Sequence, residues 1–127
     1  MTATHIAAVA IGGAAGSVAR YLMMALVGGL AGTAFPWATL AVNVLGSFVM
    51  GVIVEVSALA WSPDPALRAL LTVGILGGFT TFSTFSLDVA LLLQRDQWAA
   101  AGGYVLLSVM CSVGGLFAGM WMMRQVM

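Results

Sequence analysis

Four apolar stretches, each long enough to cross a bilayer, take up almost the whole of this chain. The third is interrupted where a membrane least tolerates it. The interruption is Gly74–Ser86, which reads G-I-L-G-G-F-T-T-F-S-T-F-S. Gly74, Gly77 and Gly78 come first, then Thr80, Thr81, Ser83, Thr84 and Ser86, with Phe79, Phe82 and Phe85 interleaved. A glycine inside a helix costs roughly 1 kcal/mol relative to alanine. Hydroxyl side chains offer the backbone competing hydrogen bonds. The combination predicts a break in the third span. Irregular backbone at membrane depth survives only where protein buries it or it lines a polar cavity, and broken helices near the midplane build ion and substrate sites. The competing reading is a glycine-rich packing seam.

Composition fixes the class. With 62% hydrophobic and 6% charged residues, the chain reads as an all-α integral membrane protein. A spanning helix needs about 20 apolar residues. The 127 residues therefore hold one domain of four spans, at about 6–30, 36–60, 66–93 and 98–123. There is no lysine and the net charge is zero, so no nucleic-acid surface is expected. The single cysteine, Cys111, excludes an intrachain disulfide and reads as a packing residue. Met1–His5 lacks the positive charge of a signal peptide, so the first apolar stretch reads as a retained span.

Within the first span, Gly12, Gly16 and Arg20 fall at i, i+4 and i+8 and share a helix face. Glycines at that spacing let helices approach closely. An arginine at depth costs about 2.5–3.5 kcal/mol on insertion scales and faces protein or water. Arg20 either snorkels to an interface or draws anions toward a pore mouth. The second span carries Asn43, with Thr39 at i−4, Gly46 and Ser47 at i+3 and i+4, and Gly51 at i+8. This small and polar stripe is either interhelical glue or the lining of a polar path. In the fourth span Tyr104, Ser108 and Ser112 recur every four residues, and Gly115 and Gly119 extend the small-residue pattern. Asp88 follows the expected break, and an intramembrane carboxylate is a functional candidate by default.

The arginines set no orientation. Arg68 and Arg124 fall toward one side and Arg20 and Arg95 toward the other, so the positive-inside rule is nearly silent. A chain without a preferred orientation can insert both ways. Two opposed copies would supply the inverted repeat that longer transporters carry within one chain.

Three segments carry a resemblance: G-G-A-A-G-S-V-A-R-Y in the first span, T-L-A-V-N-V-L-G in the second and G-G-F-T-T-F-S-T-F-S in the third. Together they resemble the Fluc family of fluoride channels, also called CrcB proteins, and the resemblance covers essentially the whole chain. It implies an antiparallel, dual-topology homodimer with two pores in a prokaryotic cell membrane. It also implies a structural sodium ion at the dimer centre, held by backbone carbonyls that map to Gly77 and Thr80. The family's pore asparagine matches Asn43 and its phenylalanine pair matches Phe82 and Phe85. Its polar track matches Tyr104, Ser108 and Ser112. With Thr39, Ser83, Thr84 and Arg20, these form the expected anion pathway. The acidic residue after the break is aspartate here, Asp88.

The implied roles agree with the residue chemistry. Fluoride is small and strongly hydrated, so a pore must replace its water donors closely. Asparagine N–H groups and Ser or Thr hydroxyls can do so. A phenylalanine ring presents a positive edge to an anion. The expected function is passive fluoride export that relieves fluoride toxicity. The alternative is a small dual-topology proton-coupled multidrug transporter, which needs a membrane-embedded carboxylate, typically in its first helix. Segment one has none. An enzyme is not expected: there is no G-x-S-x-G motif and the one histidine is terminal.

Overall fold

The computed structural model describes residues 2–127, and every element among them is helical. Helix α1 is Ala3–Ala31, and α2 is Trp37–Leu59. The third span comes in two pieces. Its first, α3, covers residues 65–79: a turn at Pro65–Arg68, a π-helical stretch Ala69–Leu76 and a last α turn Gly77–Phe79. Its second is α4, Phe82–Gln94. Helix α5 is Trp98–Val126. Four segments are long and apolar enough to cross a membrane, with α3 and α4 sharing the third. The observed ends lie within a few residues of those read from hydropathy.

Local chemistry sets several helix ends. The Thr2 hydroxyl accepts from the His5 N–H at the start of α1. The Asp64 carboxylate caps the Leu67 N–H, and Pro65 fills the first helical position, where no N–H is needed. Gly32, with φ at +81°, turns the chain out of α1. Pro36 ends the first loop and its carbonyl accepts the first turn of α2.

Helix packing follows the glycines. Helix α1 lies on α3, and α2 lies on α5. A Cβ on Gly12 would stand 2.5 Å from the Leu70 carbonyl oxygen, and one on Gly16 would run into the Ile75 carbonyl. In a π-helix the turn is wider than in an α-helix. The Gly77 N–H reaches back to the Thr72 carbonyl five residues earlier. This widened segment rests on the glycine face of α1, which has no side chains to hold it away. On the other pair, Gly51 meets the Leu116 carbonyl and Gly119 meets the Phe48 carbonyl. Backbones this close gain dispersion contact, which lipid cannot match by hydrophobicity alone.

The hydrophobic core is small and sits between α4 and α5. Leu92, Ala101 and Tyr104 are buried there, with Phe35, Leu40, Phe85 and Val89 packed around them. Much of the remaining apolar surface faces outward, as it must in hydrocarbon. At one end, the buried Glu55 carboxylate accepts from Arg124 Nε at 2.6 Å, tying α2 to α5.

Candidate functional site

The third span breaks at Thr80 and Thr81, whose backbones are extended (φ −91°, ψ 159° and φ −150°, ψ 123°). The glycines do not form the break. Gly74 and Gly78 pack against α1, where Cβ atoms would meet Gly12 and the Gly13 carbonyl.

A break in hydrocarbon must account for every main-chain polar group, since each unpaired one costs several kcal/mol. Side chains from two other spans match three of them, and the third span itself matches others. Asn43 on α2 takes both groups of Thr81: its Oδ1 accepts the Thr81 N–H at 2.8 Å, and its Nδ2 donates to the Thr81 carbonyl at 3.0 Å. Arg20 on α1 donates from Nε to the Gly78 carbonyl at 2.9 Å. The Thr80 N–H and hydroxyl both donate to the Leu76 carbonyl. The Thr81 hydroxyl accepts the Thr84 N–H at 3.1 Å and so caps α4.

These matches leave a remainder. In an unbroken helix, Thr81 N–H would go to the Gly77 carbonyl and Thr84 N–H to the Thr80 carbonyl. Asn43 has taken the first donor, and the Thr81 hydroxyl has taken the second. The Gly77 and Thr80 carbonyls are thus deprived of their helical donors. Two neutral, hard oxygen donors suit a hard cation, so the residues fit the sodium role the resemblance implies. Among the described residues no group of three His, Cys, Asp or Glu side chains could hold a metal instead.

Beside the break lies a cleft of about 310 Å³. Its walls are Asn43 and Ser47 from α2, Thr80, Thr81, Phe82 and Phe85 from the break and α4, and Ser108, Val109, Ser112 and Val113 from α5. No lining residue is charged. Ser108 is only 7% exposed, and its Oγ has no hydrogen-bond partner. Asn43 retains one amide N–H beyond the one spent on Thr81. The Phe82 and Phe85 rings stand 5.4 Å apart at 46°. Phe82 is 79% exposed, whereas Phe85 is half-buried against Tyr104, with centroids 5.1 Å apart.

The cleft gathers Asn43, Phe82, Phe85, Ser108 and Ser112 from the expected pathway, but not every member. Tyr104 is fully buried, and its hydroxyl donates to Asp88 Oδ2 at 2.9 Å. Thr39 lies buried beside the same phenol. These three form a polar cluster next to the cleft, behind Phe85. Ser83 and Thr84 occupy the first turn of α4, with Ser83 Oγ 3.4 Å from the Thr81 hydroxyl. Arg20 is turned toward Gly78 and does not line the cleft. Two participants gave little sequence signal. Phe35, which falls between the first two expected spans, stacks edge-on to Tyr104 at 5.5 Å and 85°. Thr81 looked like one hydroxyl among several, yet it anchors both the Asn43 clamp and the α4 cap.

The fold and site define a small multi-pass membrane protein that holds a broken helix open beside an uncharged, donor-lined cleft. The chain belongs to the CrcB family: the family described as "CrcB-like protein, Camphor Resistance (CrcB)" matches residues 7–120. A protein of Rhodospirillum centenum named fluoride-specific ion channel FluC is 59% identical over 119 residues, covering 94% of each chain. One of the same name from Chelativorans sp. is 51% identical over 123 residues, covering 97% of this chain and 98% of its own. Another, from Hahella chejuensis, is 44% identical over 127 residues and covers both chains completely.

Proposed function

We propose that the protein is a fluoride-selective passive channel in a cell membrane, working as an antiparallel homodimer with two pores. The observation that carries this reading is the buried Ser108 hydroxyl, left without a partner in the wall of an uncharged cleft. A buried polar group without a partner costs roughly 1–3 kcal/mol. An anion that strips its water can use that group. Asn43 offers its spare N–H on the opposite wall, and Ser112 continues the same face of α5. The absence of a fixed positive charge in the cleft suits conduction, because binding must be weak enough to release the ion. The names of the relatives point to the same ion.

Support for the dimer comes from the outward face of the break. Gly77 and Phe82 are both exposed there. A second copy in the opposite orientation would cover them, and each copy would contribute its Gly77 and Thr80 carbonyls to one central site. A sodium ion would supply the positive charge that holds those oxygens together. Asn43 and Arg20 prepare the site by claiming the neighbouring Thr81 and Gly78 groups.

The test is ion efflux from liposomes containing the purified protein, with potassium shunted by an ionophore. Fluoride should leave far faster than chloride. Equal rates would overturn the selectivity. Proton-coupled drug uptake without fluoride flux would replace the channel with a transporter.

A further inference from the structure

We propose that the groove around Arg68, at the end of α2 and the start of α3, is a binding site for an anionic phospholipid. The site is remote from the break, and the proposal does not depend on the ion that the protein conducts. Two adjoining hollows, of about 280 and 400 Å³, share Arg68 and Thr72. One is walled by Ile53, Val54, Ser57 and Ala58 of α2, and the other opens against the Pro63–Pro65 loop.

Arg68 is exposed and, among the described residues, its guanidinium makes neither an ion pair nor a hydrogen bond. Neither Asp64 nor Glu55 forms an ion pair with it. Asp64, one turn upstream, caps the Leu67 N–H at 3.2 Å. Glu55 is paired with Arg124. Thr72 donates its hydroxyl to the Arg68 carbonyl, so its polar atom is spent within the helix.

The shape argues for a lipid over a soluble anion. The groove begins at the loop, where headgroups lie, and reaches Ile53. That residue is six positions before the end of α2, about 9 Å deeper at 1.5 Å per residue. A phosphate at the guanidinium would leave the glycerol and upper acyl chain against Ile53, Val54 and Val73. Basic pockets between spanning helices recognise anionic headgroups in this way. A free phosphate would use only the rim.

The experiment is native mass spectrometry of the full chain, titrated with phosphatidylglycerol and with phosphatidylcholine of the same acyl chains. Phosphatidylglycerol should bind at least about fivefold more tightly. Arg68→Gln should remove that preference, and Arg95→Gln, at the opposite end of the molecule, should keep it. Ser57→Phe fills the groove without changing charge and should weaken both lipids, which tests the site even if Arg68→Gln fails to fold. Equal affinity for the two lipids, or a preference that survives Arg68→Gln, overturns the proposal. So does displacement by millimolar inorganic phosphate, which marks a soluble-anion site. Lipid carried by the monomer and never by the dimer also overturns it, because a second copy then covers the groove.

Discussion

Asn43 holds Thr81 at both ends of its main chain, accepting its N–H at 2.8 Å and donating to its carbonyl at 3.0 Å. One amide side chain on α2 thereby replaces the helical hydrogen bond that the Thr81 N–H gives up and adds a second donor to the carbonyl that starts α4. The same residue forms part of the cleft wall. The break and the cleft beside it therefore share a support.

Replacing Asn43 should injure both. Asn43→Ala strands the Thr81 N–H and removes one of the donors to its carbonyl, at a cost of about 2 kcal/mol. Its thermal midpoint in detergent should fall well below that of the wild type, and fluoride efflux should nearly stop. Asn43→Asp keeps the acceptor for Thr81 N–H and loses the donor. It should be the more stable of the two variants yet still conduct poorly. Wild-type flux in Asn43→Ala would remove this residue from the pathway.

The two phenylalanines should separate stability from conduction. Phe85 is half-buried against Tyr104, and Phe82 is 79% exposed in the single chain. Phe85→Ala should cost about 2 kcal/mol of fold stability, read from thermal unfolding. Phe82→Ala should leave the isolated fold within about 0.5 kcal/mol. Both should slow fluoride efflux sharply. A Phe82→Ala channel with undiminished flux would place the anion path elsewhere.

Ser108 yields a prediction of opposite sign. Its hydroxyl is buried and unpaired, so Ser108→Ala removes a penalty. The variant should be about 1 kcal/mol more stable than the wild type. Flux measured in the same preparation should fall, since the cleft loses a donor. Lower stability in Ser108→Ala would mean that the hydroxyl has a partner within the protein.

Close approach of α1 to the π-helical stretch should be intolerant of a single methyl group. Gly16→Ala drives a Cβ into the Ile75 carbonyl and should cost about 2 kcal/mol. Gly13 has open space at its Cβ position, so Gly13→Ala, three residues away on the same helix, should be nearly silent. Comparing the two midpoints isolates the contact from glycine's helix propensity, which both substitutions change alike.

Much of this architecture follows from the order of residues alone. Hydropathy placed four spans because hydrocarbon admits only long apolar helices. The clustering of Gly and Thr in the third span marked it as interrupted because both residue types weaken a helix locally. The helical period brought Asn43 and Ser47 to one face, and Ser108 and Ser112 to another. Only the tertiary structure decided where the interruption falls and what each polar group does there. Glycines 74 and 78 stay helical because α1 packs on them. Thr80 and Thr81 leave the helix where Asn43, 38 residues away in sequence, takes the Thr81 N–H that an unbroken helix would give to Gly77. Arg20 is drawn to Gly78 across 58 residues, and Tyr104 to Asp88 rather than into line with the serines. Hydrophobic period is a property of each segment by itself, whereas the partner of a buried hydrogen-bonding group is settled by which spans lie side by side.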